Sequence, residues 1–212
     1  MSRTSSRLTT TSYALLSLLA VRRWSTYELT QQMDRSLGRI WPRAQSKLYE
    51  EPRKLAEHGL AKAVSEHVGR RARTVYQITP RGRRALALWH KDPGAGPVLE
   101  FEQLLKIHFA EHGTRTDALA SLAAARDWAV ERNAGNLAVG RDYLAGRGPF
   151  PERGAQHLLT ARFLTDFYLM VAQWADWATD QVRQWPDDPG EATADPAAMQ
   201  DLVRRAGWSE PG

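Results

Sequence analysis

The sequence of 212 residues contains no cysteine and no long apolar run. Without cysteine, disulfide bonds and zinc sites built on thiolates are excluded. The most apolar stretch, Tyr13–Val21, has nine residues, whereas a helix that spans a membrane needs about 20. It also lacks a cleavage site of small residues, so no signal peptide is expected. We therefore predict a soluble cytoplasmic protein.

Positive and negative charges are unevenly distributed along the chain. Residues 1–92 contain 18 Lys and Arg against 7 Asp and Glu, whereas residues 93–212 contain 11 against 17. The sign changes at a segment rich in Pro and Gly, residues 93–97, which predicts a linker between two domains. A basic domain on an otherwise acidic chain is typical of nucleic-acid binding. Charge alone also fits a basic domain that is merely well solvated.

Three helices are predicted in the basic domain. An apolar helix over residues 11–21 is followed by a capping box, Ser25–Glu28, which starts a second helix. Gly38 fits a left-handed stop for that second helix. A third helix is expected from Pro42 to His58. We expect it to be kinked or split near Pro52, because proline lacks an amide donor and crowds the preceding turn.

Two strands and a fourth helix complete this domain. The strands are predicted at Leu60–His67 and Thr74–Thr79, and an arginine-rich hairpin loop, Val68–Arg73, joins them. Thr79-Pro80 then opens a helix over residues 81–90. The order of helix, helix, turn, helix, two-stranded wing and helix predicts a winged helix-turn-helix.

The order and spacing of five short motifs resemble the PadR family of winged-helix regulators. The motifs are Tyr13–Leu19, Thr26–Leu29, Ser46–Tyr49, Leu55–Leu60 and Tyr76–Gly82. The resemblance implies a mainly α protein with an N-terminal winged helix-turn-helix, built of three helices and a two-stranded β wing, and a C-terminal helical dimerisation domain. It also implies a homodimeric repressor that binds specific sequences of double-stranded DNA, gated by a small aromatic or hydrophobic effector.

Candidate DNA contacts lie on the third helix and in the wing loop. Arginine, glutamine and serine on a recognition helix address base edges in the major groove, whereas wing arginines suit phosphates or a narrow minor groove. The helix candidates are Arg43, Gln45, Ser46, Lys47, Tyr49 and Arg53, and the wing candidates are Arg70, Arg71 and Arg73. The alternative is a winged helix whose basic face binds a protein partner without specific DNA recognition.

Residues 98–185 are predicted to form three amphipathic helices, followed by a loosely ordered tail, 186–212, with room for a short helix. The last of the three carries an aromatic stripe that favours packing between two copies of the chain. Its members are Phe163, Phe167, Met170, Trp174 and Trp177. The candidate effector contacts are Phe167, Tyr168, Trp174 and Trp177. The alternative for these aromatic residues is a packed dimer core.

Signs of enzyme chemistry are weak. His108 and His112 flank Glu111 in the pattern of an inverted zinc protease, but no clustered third ligand accompanies them. We find no glycine loop for phosphate and no Gly-x-Ser-x-Gly nucleophile elbow. We therefore predict that the protein is not an enzyme and holds no cofactor or metal.

Overall fold

The computed structural model describes residues 7–68 and 71–209. The chain divides into two compact units, Met1–Pro97 and Val98–Gly212. Within the described ranges, no helix is both long enough and apolar enough to cross a membrane.

The first unit has a winged helix-turn-helix fold, so the mainly α class with a β wing is confirmed. Its helices are α1 Thr10–Val21, α2 Thr26–Leu37, α3 Gln45–Glu57 and α4 Pro80–Trp89. Its strands are β1 Trp24–Ser25, β2 Ala61–Val68 and β3 Arg71–Ile78, which form an antiparallel sheet in the order β1-β3-β2. The predicted two-stranded wing therefore gains a third, two-residue strand before α2.

The core of the first unit is a cluster of fully buried leucines from three helices. Leu15, Leu16, Leu29 and Leu55 are all 0% exposed. Burying one such side chain stabilises the fold by roughly 1.5–3 kcal/mol. The Trp24 indole also lies in this core, where it donates a hydrogen bond to a backbone carbonyl of α1.

A side-chain capping box starts α2, and two glycines set helix ends in different ways. The Ser25 hydroxyl accepts from the Glu28 amide while the Glu28 carboxylate accepts from the Ser25 amide, which confirms the predicted capping box. Gly59 follows α3 with a left-handed φ of +69°. Gly38, however, is right-handed with φ −58°, so the predicted left-handed stop is wrong. A Cβ there would approach the Asp34 carbonyl oxygen to 2.4 Å, which is why a glycine is needed.

Helix α3 starts later than predicted and is not split. Ala44 is the N-cap, so Pro42 and Arg43 precede the helix. The helix then runs without interruption to Glu57 although Pro52 lies inside it. The Pro52 ring is fully buried, and its burial in the core offsets the hydrogen bond that proline removes.

The second unit is built on a long helical hairpin, and the three predicted helices are confirmed. They are α5 Glu102–His108, α6 Arg115–Leu144 and α7 Gly154–Val182, and a further helix, α8 Pro196–Ala206, lies in the tail. Asn136 donates to Thr165 and Arg126 pairs with Asp176, so α6 and α7 run antiparallel. Alanines on both inner faces let the two helices approach closely. The buried alanines are Ala118, Ala125, Ala129, Ala175 and Ala178.

Candidate nucleic-acid interface

The outer face of α3 is polar and open to solvent. Leu48, Pro52 and Leu55 turn toward the core, which leaves the opposite side exposed. The exposed candidates on α3 are Gln45, Ser46, Lys47, Tyr49 and Arg53. No side chain caps the N-terminus of α3, so its first amides remain available to an anion such as a backbone phosphate.

Arg43 does not lie on α3 as predicted but in the turn before it. Its guanidinium stacks over the Trp41 ring, 4.2 Å from the ring centroid, and donates to the Pro42 carbonyl. The Trp41 indole in turn donates to the Thr11 hydroxyl at 3.0 Å. The turn between α2 and α3 is thereby fixed to α1, and the exposed Arg43 charge stands beside the start of α3.

Arg73 lies in strand β3 and not in the wing loop as predicted. The Arg73 guanidinium contacts Glu28 at 3.0 Å and Glu66 at 3.4 Å, and Glu66 also pairs with Arg23 at 2.8 Å. These four residues form a chain of ion pairs. The pKa of Glu28 lies below its ordinary value because the Ser25 amide, the Ser25 hydroxyl and then Arg73 stabilise its charged form.

The predicted wing loop is shorter than its arginine content suggested. Strand β2 ends at Val68 and β3 begins at Arg71, and these two residues are paired across the hairpin. Arg70 lies outside the described residues, and of Arg71 only the place in β3 is described.

The structure adds basic residues that sequence reasoning missed. The missed exposed cations of the first unit include Arg22, Arg35, Arg39, Lys62, Arg81, Arg83 and Arg84. None of them is in an ion pair among the described residues. In the second unit, by contrast, ion pairs involve Lys106, Arg115, Arg126, Arg147, Arg162, Arg183, Arg204 and Arg205. Uncompensated positive charge is therefore concentrated in the first unit, as the charge count alone indicated without giving positions.

The four candidate effector residues lie in two different places. Phe167 and Tyr168 pack edge to face against Trp128, with ring centroids 6.2 and 5.6 Å apart, so they belong to the hairpin core. Trp174 and Trp177 instead line a cleft of about 990 Å³ between residues 99–108 and residues 174–185. Sequence reasoning missed the opposite wall of this cleft. Its apolar members are Leu99, Phe101, Leu104, Leu105 and Ile107.

The predicted aromatic stripe on α7 is divided by burial. Phe163, Met170 and Trp177 stand seven residues apart and are 63%, 52% and 52% exposed. Phe167 and Trp174 are partly buried against the hairpin core. The three exposed members form an apolar strip on one face of the helix. Among the described residues, His108 and His112 join no group of three or more metal-ligating side chains.

A family model described as the transcriptional regulator PadR-like family matches residues 15–88. The chain contains a PadR-like domain. This PadR-like domain runs from α1 to α4, so it includes the open face of α3 and the wing. A curated relative, the probable transcriptional regulator Rv1176c of Mycobacterium tuberculosis, is 34% identical over 83 residues, 38% of this chain. The match spans 43% of that relative, which is less than half of its length.

Two solved structures resemble this chain over most of its length. Bacillus subtilis PadR in complex with operator DNA matches with a TM-score of 0.69 and 22% identity, over 84% of this chain and 99% of that one. Bacillus subtilis PadR in complex with p-coumaric acid matches with a TM-score of 0.65 and 19% identity, again over 84% and 99%. At such identities the likeness establishes the fold.

Proposed function

We propose that this chain is a transcriptional regulator that binds specific DNA sequences as a homodimer. The observation that carries the proposal is the open polar face of α3 in a PadR-like domain rich in uncompensated positive charge. A helix of this kind enters the major groove with its N-terminal residues toward the bases. Gln45 and Ser46 in the first turn read base edges, and Lys47 contacts phosphate. The operator complex of Bacillus subtilis PadR supports this role for the shared fold.

The wing and the turn before α3 supply contacts to the DNA backbone. Arg70 and Arg71 contact phosphates or the minor groove. Arg43, held over Trp41, and the uncapped amides of α3 meet a phosphate beside the major groove. Arg53 and Tyr49 extend the contact surface along α3. Arg73 acts on DNA through the position of the wing, because Glu28 and Glu66 hold its guanidinium.

The exposed strip on α7 is the dimer contact. Phe163 and Met170, the two members of the strip that do not line the cleft, expose an apolar surface that a second copy covers in a symmetric interface. Dimerisation presents two recognition helices to two half-sites about one DNA turn, roughly 34 Å, apart. The dimer represses transcription by occupying its operator.

The cleft at Trp174 and Trp177 is the effector site of the proposed regulator. Its aromatic lining and its volume of about 990 Å³ suit a small hydrophobic molecule. Bacillus subtilis PadR, solved with p-coumaric acid, supports a small ligand in proteins of this fold. Phe167 and Tyr168 serve the hairpin core and not the ligand. An effector changes DNA affinity only by binding one dimer arrangement better than another.

Selection of bound fragments from random duplex DNA by the purified full chain tests this proposal. The expected product is an enriched motif with two inverted half-sites, about 10 base pairs from centre to centre. A protein with alanines in place of Gln45 and Ser46, selected in parallel, should enrich a different motif or none. A parent protein that enriches no motif would favour a winged helix that binds a protein partner. A variant that enriches the same motif as the parent would show that Gln45 and Ser46 are not the residues that read the bases.

A further inference from the structure

The cleft beside α7 has aromatic side chains on both walls. Phe101 meets Trp174 edge to face, with ring centroids 5.7 Å apart. Trp177 lies one turn further along α7, and Trp185 closes the same wall beyond the end of that helix. Since Trp177 is 52% exposed, its indole ring is accessible to a ligand without any rearrangement. The cleft therefore offers a ligand aromatic surface from both walls.

The formal charges that line this cleft are negative. Glu100 and Glu102 contribute carboxylates from the wall opposite α7, and no Lys or Arg is among the described lining residues. Lys106, which is outside the lining, pairs with Glu102 at 3.0 Å and offsets part of its negative charge, although exposure of both side chains to water weakens the pair. Glu100 has no ion-pair partner among the described residues. The other polar side chains of the lining are His108 and Gln181.

We infer that this cleft binds a planar hydrophobic cation and discriminates against hydrophobic carboxylates. The inference rests on the proposed effector role of the cleft. The faces of indole rings carry negative potential and attract cations, and the two carboxylates add to that attraction. A ligand carboxylate would lose hydration between the rings without gaining a basic partner, and would be repelled by Glu100 and Glu102. A neutral planar molecule would gain the apolar contacts alone.

The ligand class expected for this chain differs from that of the ligand solved with a protein of similar fold. Bacillus subtilis PadR has been solved with p-coumaric acid, which is a carboxylic acid. The fold likeness at 19% identity carries no information on the ligand class. In this chain the expected ligand class follows from the cleft lining, because the charged residues of that lining are Glu100 and Glu102.

Three probes that share one ring system isolate the effect of ligand charge. They are 9-aminoacridine, a cation at pH 8, acridine, which is neutral, and acridine-9-carboxylate, an anion. Each is titrated calorimetrically into the full chain in the absence of DNA. The cation should bind about tenfold more tightly than neutral acridine, a difference of about 1.4 kcal/mol, and the carboxylate should bind most weakly. Equal binding of all three, or tightest binding of the carboxylate, would overturn the inference.

Substitutions in the cleft test whether its residues cause the preference for the cation. A double substitution, Glu100→Gln with Glu102→Gln, should remove most of the advantage of 9-aminoacridine and leave neutral acridine unchanged. Glu152→Gln, an exposed glutamate outside the lining, is the matched control and should preserve the cation preference. Trp177→Ala should weaken all three probes.

The possible failures have different consequences for the two proposals. Cation binding that survives both substitutions in the double variant would contradict the role of Glu100 and Glu102. Failure of all three probes to bind would overturn the inference and the effector role of the cleft together. Neither result would affect DNA recognition by α3, which the selection experiment measures independently.

Discussion

The Arg73 guanidinium lies 3.0 Å from the Glu28 carboxylate and so joins the second strand of the wing to the first turn of α2. The same carboxylate accepts the backbone amide of Ser25 in the capping box. One glutamate therefore both starts α2 and holds the wing. The position of the wing beside the helix-turn-helix therefore depends on the Glu28 carboxylate.

Replacing Arg73 with Ala should lower the free energy of unfolding by about 0.5–1 kcal/mol, the upper part of the range for an exposed ion pair, because two contacts are lost. Chemical denaturation measures this change. Arg83→Ala is the matched control, since Arg83 is exposed, belongs to the same unit and is in no ion pair of the described residues. We expect the control to change stability by less than about 0.5 kcal/mol. Equal losses in the two variants would contradict a structural role for Arg73.

The Glu28 contribution to stability should disappear in acid. Its pKa is lowered in the folded protein, chiefly by the Ser25 amide, then by the Ser25 hydroxyl and by Arg73. A lowered folded pKa gives stability that is present above the unfolded value, about pH 4.3, and is lost as the pH falls through the folded value. Unfolding of the parent and of Glu28→Gln should therefore differ most near neutral pH and converge in acid. A stability difference independent of pH would show that the charge of Glu28 contributes nothing.

The wing arginines should contribute to the salt dependence of DNA affinity. Each phosphate contact adds about 0.9 to the slope of log affinity against log salt. Replacing Arg70 and Arg71 by Ala in both subunits should lower that slope by about 2–4 and weaken binding to all sequences alike. Arg162→Ala with Arg183→Ala, two paired arginines of the second unit, is the control. An unchanged slope in the wing variant would mean that the wing does not contact phosphates.

The exposed strip on α7 should control the oligomeric state. Phe163→Asp or Met170→Asp places a charge in an apolar contact and should convert the dimer to a monomer in sedimentation at micromolar concentration. DNA affinity should fall with it, because attachment at two half-sites is lost. Leu88→Asp, at an exposed leucine of the first unit, is the control and should remain dimeric. A parent protein that sediments as a monomer would contradict the proposed interface.

Local features were predictable from the sequence because neighbouring residues determine them. Ser25 and Glu28 are three positions apart, so their capping box could be predicted before any tertiary contact was known. Gly59 similarly ends α3, and it does so with a left-handed turn. Gly38 shows the limit of that reasoning, because its close approach to the Asp34 carbonyl, and not a positive φ, requires a glycine.

Long-range features were not predictable. Arg73 was assigned to a loop because arginine runs suggest one, but its pairing with Glu66 across β2 and β3 places it in a strand. The ion pair with Glu28 joins residues 45 positions apart. The cleft likewise brings residues 99–108 against the end of α7, so its second wall and its acidic character emerge only after folding. Pro52 predicts a kink or a split in α3, but the helix runs uninterrupted, and burial of the Pro52 ring against the core compensates for the lost donor.

Whether the first turn of α3 reads bases can be measured from the DNA affinities of the parent, Gln45→Ala and Ser46→Ala proteins. Each is measured at one salt concentration on the selected duplex and on a scrambled duplex of equal length. We expect the substituted proteins to lose about 1–3 kcal/mol of binding free energy on the selected duplex and to be unchanged on the scrambled one. Equal losses on both duplexes, or no loss on either, would contradict base reading by the first turn of α3.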